Sequence, residues 1–223
     1  MDKYKIIQIK ENILARNDNS ANELRKELKE KKCYLLNVMS SPGSGKTTLL
    51  VNLINKLKDK LRIGVMEADI DSDVDASTIV EKTGVQAIQV HTGGACHLTA
   101  QMTRDAMNEW GIDNLDLIIL ENVGNLVCPA EFDTGSIKNL MILSVPEGDD
   151  KPLKYPLMFE VSSIAVISKI DTMSVFDFSM EKVEERIHMR NPNTVIFPVS
   201  AKKDIGVDKL ADYLYKEVAE FIK

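Results

Sequence analysis

Two residues that handle phosphate sit within the run SSPGSGKTTLL (40–50): Lys46 and Thr47, directly after Gly43-Ser44-Gly45. The run fits the phosphate-binding pattern G-x-x-x-x-G-K-[ST], with Ser40 in place of the first glycine. In such a loop the backbone N–H groups of Gly43, Ser44, Gly45 and Lys46 face phosphate oxygens. The dipole of a helix starting at Lys46 adds positive potential there. Lys46 would reach the β- and γ-phosphates, Thr47 would give its hydroxyl to Mg²⁺, and Thr48 completes the contact set. Carboxylates for the metal and the attacking water are found in two further segments. MEADIDSDVDA (66–76) supplies Asp69 and Asp75, and LIILENVGN (117–125) supplies Glu121. Glu121 stands where a Walker B aspartate is usual, and with Gly124 it repeats, Glu for Asp, the D-x-x-G spacing of a segment that senses the γ-phosphate.

A base-reading pair follows. In SKID (168–171), Asp171 can accept two hydrogen bonds from the guanine Watson–Crick edge, while adenine offers no matching pair of donors. Lys169 would lay its stem along the base. Ser168 occupies the Asn position of N-K-x-D, which predicts a weaker or missing supporting hydrogen bond. SAKK (200–203) is the expected partner loop, with Ser200, Ala201 and Lys202 placed so that a backbone N–H reaches guanine O6. In this order, each after an apolar run, the motifs select GTP with Mg²⁺.

A third chemistry is soft-metal binding. HTGGACHLTAQM (91–102) sets Cys96 beside His97, and Cys128 lies seven residues beyond Glu121. Thiolate and imidazole suit Zn²⁺, Ni²⁺ or Cu⁺. Leu98, Met102, Ala106 and Trp110 recur at helical spacing, so a helix over 97–110 would bury that face. Its N-terminal end would hold Cys96 and His97 and favour a thiolate. Spacing alone leaves the pair open between a metal site and a structural neighbour pair. Cys33 opens an apolar run and reads as core; His91 and His188 read as structural or surface residues.

The elements that must position these groups alternate. Apolar runs at 33–39, 62–68, 85–90, 115–120, 140–145, 163–168 and 194–199 read as buried strands. Helical patterns at 46–59, 75–83, 97–110, 180–190 and 206–222 separate most of them. The pattern predicts an α/β fold: a mostly parallel, Rossmann-like P-loop NTPase sheet with helices on both faces, and ligands at the carboxyl ends of its strands. Strands 85–90 and 115–120 need not be neighbours in it. Residues 1–32 form an N-terminal helical segment ahead of the nucleotide domain, 33–223. A break is expected at NDNS (17–20), with Ser20 and Glu23 as the capping box of a second helix.

Composition narrows the setting. The 223 residues are 44% hydrophobic and 28% charged, enough for one sizeable core. The net charge of −6, with no basic run free of acids, argues against nucleic-acid binding. ELRKELKEKK (23–32) mixes both signs as a solvated helix face does. No apolar run of about 20 residues predicts a membrane span, and the N-terminus lacks a signal-like apolar core. A cytoplasmic location is expected, with no membrane partner and three reduced cysteines.

Taken together, GSGKTTLL, TGGACHLTAQM, LDLIILENVGNLVCPAEFD, PEGDDKPLKYP and ISKID resemble the hydrogenase nickel-incorporation GTPases of the HypB family, P-loop GTPases of the SIMIBI class. The resemblance runs from residue 33 to the end and more loosely over the N-terminal helices. It implies a GTP-hydrolysing switch that helps deliver Ni²⁺ to a [NiFe]-hydrogenase precursor. It also implies a GTP-promoted homodimer, with Cys96, His97 and Cys128 at or near the interface binding Ni²⁺ or Zn²⁺. A HypA-like nickel protein and the hydrogenase large subunit are the implied partners. The N-terminal Cys-rich or His-rich nickel tract of some members has no counterpart before Cys33 or His91. Urease-type accessory GTPases (UreG) carry Cys-Pro-His where this chain has Cys128-Pro129-Ala130. A P-loop small-molecule kinase would share the phosphate loop, but the acidic PEGDD loop makes a poor lid for one. A nucleotide-binding dimerisation module with a structural zinc would share both the loop and the soft ligands.

Overall fold

The computed structural model describes residues 9–69 and 74–223, with the side chains of 9–12, 69, 74 and 75 left aside. Seven strands form its sheet: β1 (Tyr34–Ser40), β2 (Ile63–Asp69), β3 (Gln86–His91), β4 (Leu117–Glu121), β5 (Lys138–Ser144), β6 (Ile164–Ser168) and β7 (Val195–Pro198). They run parallel in the order β3-β2-β4-β1-β5-β6-β7. The helices are α1 (Ile9–Glu30), α2 (Lys46–Leu57), α3 (Val74–Thr83), α4 (Ala100–Trp110), α5 (Cys128–Glu131), α6 (Lys151–Lys154), α7 (Pro156–Glu160), α8 (Met180–Arg190) and α9 (Val207–Phe221).

The central strands are apolar throughout because both sheet faces are covered; every residue of β1 and β4 is buried. Alternation along β1 sorts its side chains between two layers. Leu36 and Val38 meet α2 and α9 through Leu53, Ile54, Leu210 and Leu214. Leu35, on the other face, joins Leu24 and Leu28 of α1 and Met107 of α4, while Met39 joins Phe159 of α7 and Ile187 of α8. Trp110 closes α4 against the sheet: a Cβ on Gly64 of β2 would stand 2.3 Å from its ring. No described helix is long and apolar enough to cross a membrane.

Two sequence expectations fail. The break at NDNS is absent, and α1 runs unbroken from Ile9 to Glu30. Asn17 does not end the helix, because its carboxamide is satisfied elsewhere: Oδ1 accepts the Ala100 N–H at 3.0 Å and Nδ2 donates to the Asp133 carbonyl at 2.8 Å. Asn17, Ala21, Leu24 and Leu28, all buried, form one stripe at helical spacing. The second failure is the start of α4. Thr99 is its N-cap, its side chain accepting the Met102 N–H at 3.2 Å, so Cys96 and His97 precede the helix. They follow a turn in which Gly93 and Gly94 take φ of +63° and +90°, a region that favours glycine. The dipole argument for a Cys96 thiolate therefore loses its geometric basis.

Candidate nucleotide and metal sites

The phosphate loop leaves β1 at Ser40 and enters α2 at Lys46. Gly43 and Gly45 hold φ of +73° and +93°, which turns the chain sharply over the helix end. No side chain caps the first turn of α2, so its N–H groups face the loop. Lys46 pairs with Glu121: Nζ lies 3.2 Å from Oε1, with side-chain exposures of 14% and 1%. Glu121 ends β4, in register with Val38 of β1 on one side and Glu67 of β2 on the other. Glu67 is 2% exposed. Register partners in a parallel sheet point to the same face, so a second buried carboxylate stands beside the first. Glu67 escapes sequence reasoning; its one signal is a lone charge inside an apolar strand run. Asp69 and Asp75 end β2 and begin α3, and their side chains lie outside the described residues. The Thr47 hydroxyl and the Glu121 carboxylate are hard oxygen donors of the kind Mg²⁺ takes.

At the other side of the loop, a cavity of about 380 Å³ is lined by Ser44, Gly45, Thr48, Lys169, Asp171, Ser200, Ala201 and Lys202, among others. The three loops that sequence order assigned to a base site thus converge. Their fixings are specific. Ser168 Oγ donates to the Ser44 carbonyl at 2.7 Å, so the shorter side chain at the Asn position still ties this loop to the phosphate loop. Lys169 adopts φ +58° and its Nζ donates to the Gly43 carbonyl at 2.6 Å, which lays its stem across the loop. Ser200 Oγ donates to Asp171 Oδ1 at 2.6 Å and holds that carboxyl below the usual range, so it is ionised and ready to accept. Asn52 of α2 donates to the Ala201 carbonyl at 2.6 Å and ties the partner loop to the phosphate-loop helix.

The soft ligands come from two loops. Cys96 follows β3 and Cys128 opens α5, and the sheet places β2 between β3 and β4. The two thiols nonetheless come near enough that Cys96 is the main influence raising the Cys128 pKa. His97 Nδ1 lies 3.8 Å from Cys96 Sγ, and the ring stacks on Phe132 with centroids 3.7 Å apart. Desolvation lowers its pKa, which favours the neutral imidazole that metals bind. Among the described residues no three His, Cys, Asp or Glu side chains close into a metal-binding group. Cys33 is fully buried, its thiol pushed up to about 12 mainly by desolvation, as expected of a core residue. His91 is exposed, and His188 meets the Thr194 carbonyl.

The segment between Glu121 and Cys128 touches the phosphate loop. Gly124 sits so close to Pro42 that a Cβ on it would be 3.2 Å from Pro42 Cγ. Asn122 fixes the start of the segment, its N–H donating to the Val38 carbonyl at 2.9 Å and its Nδ2 to Asn37 Oδ1 at 3.1 Å.

Comparison with known proteins agrees with this geometry. Residues 34–198 match the CobW/HypB/UreG nucleotide-binding domain family. The chain is 43% identical over 220 residues to the hydrogenase/urease maturation factor HypB of Helicobacter hepaticus, covering 97% of this chain and 90% of that one. It superposes on the crystal structure of HypB from Helicobacter pylori in complex with nickel with a TM-score of 0.85 at 40% identity, over 93% and 97% of the two chains. HypB of Archaeoglobus fulgidus gives 0.84 at 32% identity, over 92% and 99%. A family match over residues 34–198, with relatives of this identity along nearly the whole length, places the chain in the HypB group of the CobW/HypB/UreG nucleotide-binding family.

Proposed function

We propose that this chain is a cytoplasmic GTP-hydrolysing switch that carries Ni²⁺ toward a [NiFe]-hydrogenase precursor. The observation that supports this most is the continuity of residues 121–128: Glu121 pairs with the phosphate-loop lysine, and Cys128 lies near enough to Cys96 for the two thiols to influence each other. One short segment thus joins a group that meets the γ-phosphate to a group that can hold the cargo.

The chain's own residues define the steps. Asp171 accepts the two guanine donors, Lys169 covers the base, and the 200–202 turn offers a backbone N–H to O6. Lys46 exchanges Glu121 for the β- and γ-phosphates, which frees the Glu121 carboxylate to orient water. Mg²⁺, held by Thr47 and by Glu121 or Asp69, would neutralise phosphate charge in this reaction; Asp75 is the other candidate for ordering water. Loss of the γ-phosphate removes one of the two phosphate partners of Lys46 and changes what Glu121 faces, and Gly124, packed under Pro42, passes that change along the segment to Cys128. Nucleotide and cargo then bias one element, so their coupling is reciprocal.

The thiol pair leaves coordination positions for other ligands, which fits a cation shared between two copies in a GTP-promoted homodimer, with His97 contributing. Val127, half exposed beside Cys128, provides apolar surface for that contact. A HypA-like nickel protein as donor and the hydrogenase large subunit as acceptor complete the reading. Zn²⁺ suits the same ligands. The name of the Helicobacter hepaticus relative adds urease as a second recipient. Nickel titration of the parent and of a Cys96→Ala, Cys128→Ala variant, each with GTP and with GDP, tests the proposal. The expected result is loss of binding in the variant, and nucleotide-dependent affinity and light-scattering mass in the parent. Equal nickel affinity in parent and variant would refute the site.

A further inference from the structure

The N-terminal helix grips both metal-site loops through side chains that take no part in the nucleotide site. Asn17 lies inside α1 and is 7% exposed. One end of its carboxamide takes the Ala100 N–H, four residues past Cys96, and the other gives to the Asp133 carbonyl, five residues past Cys128. Arg25 reinforces the second contact: Nη2 reaches both Asp133 carboxylate oxygens at 2.6 and 2.7 Å, and Nε donates to the Ser136 carbonyl at 2.9 Å. Leu24 packs under Gly135, where an added Cβ would stand 2.7 Å away. Between the two grips His97 stacks on Phe132.

The sheet does not set the spacing of these loops by direct pairing, because β2 lies between β3 and β4. A buried carboxamide that must satisfy both its donor and its acceptor acts as a spacer of fixed length, since losing either bond leaves a desolvated polar atom. We propose that Asn17, backed by Arg25, is a positioning residue for the metal-binding thiols: it sets the separation of Cys96 and Cys128 and so their affinity for a soft divalent cation. This rests on the reading of Cys96 and Cys128 as metal ligands. Neither Asn17 nor Arg25 is a ligand; their action is that of outer partners that orient ligands.

The test uses the full chain with Ni²⁺ alone. Parent, Asn17→Ala, Asn17→Asp and the Cys96→Ala, Cys128→Ala variant are compared for nickel affinity by calorimetry, thiolate-to-nickel charge-transfer absorption, GDP affinity and thermal midpoint. Asn17→Asp keeps the size and the acceptor for Ala100 but sets an oxygen against the Asp133 carbonyl, so it serves should the alanine variant fold poorly. Both Asn17 variants are expected to lose about 10- to 100-fold in nickel affinity and to shift the charge-transfer band, with GDP affinity held within about two-fold. Unchanged nickel affinity and an unchanged band would overturn the proposal, as would a parallel fall in nickel and GDP affinity with the thermal midpoint, which marks a merely structural role. Parent-like nickel binding in the cysteine variant would remove the metal-site reading and this proposal with it. Loss of nickel there but not in the Asn17 variants would remove this proposal alone.

Discussion

Replacing Lys46 by methionine isolates the pair on which the switch reading depends. Glu121 is 1% exposed and Lys46 14%, so the ion pair sits behind the phosphate loop and almost out of water. Removing one partner of a buried pair costs about 3–5 kcal/mol, because the remaining charge keeps its desolvation penalty. Lys46 retains some solvent contact, which puts Lys46→Met at the low end, about 3 kcal/mol. For a chain of this size that lowers the thermal midpoint by about 6–12 °C. The assay is urea and thermal unfolding without nucleotide, for parent, Lys46→Met, Glu121→Gln and the double variant. Neutralising both partners should recover about half or more of the loss, since the carboxylate that Lys46 pairs with then carries no charge. A Lys46→Met loss below about 1 kcal/mol, the level of a surface pair, would refute the reasoning. A double variant no more stable than the single one would refute it too.

Two further outcomes concern the base site. Ser168→Ala deletes the hydroxyl bond to the Ser44 carbonyl, a contribution of about 0.5–1.5 kcal/mol, so GDP affinity by calorimetry should fall about 2- to 10-fold; unchanged affinity would show that this bond does not position the loop. Asp171→Asn replaces an acceptor by a donor and should move preference from guanine to xanthine nucleotides by on the order of 10- to 100-fold, read from competitive binding.

What the sequence reveals follows from range. Parallel strands are continuous apolar runs and the phosphate loop is a contiguous string, so both can be read locally. The convergence of residues 168–171 and 200–202 on the phosphate loop is legible because their tetrapeptides follow strand ends in a fixed order. The unbroken α1 is not: Asn17 looks like a helix breaker until its partners, 83 and 116 residues away, are known. The tie made by Ser168 is hidden for the same reason, its acceptor lying 124 residues back. The approach of Cys96 to Cys128 also needs the folded sheet, since nothing local says that loops after non-adjacent strands draw near each other. The short helices α5, α6 and α7, each with a proline in its first turn, are too brief to show periodicity.

Trp110 is the chain's single tryptophan, and it ends α4 with its ring against Gly64. The opposite end of that 11-residue helix is the Ala100 N–H held by Asn17. A helix of this length moves as a rod of about 16 Å. The molecule thus carries a native optical gauge: if cargo binding at the thiol loop tilts α4, the packing of its only indole changes, and unlabelled protein would report loading through its own emission.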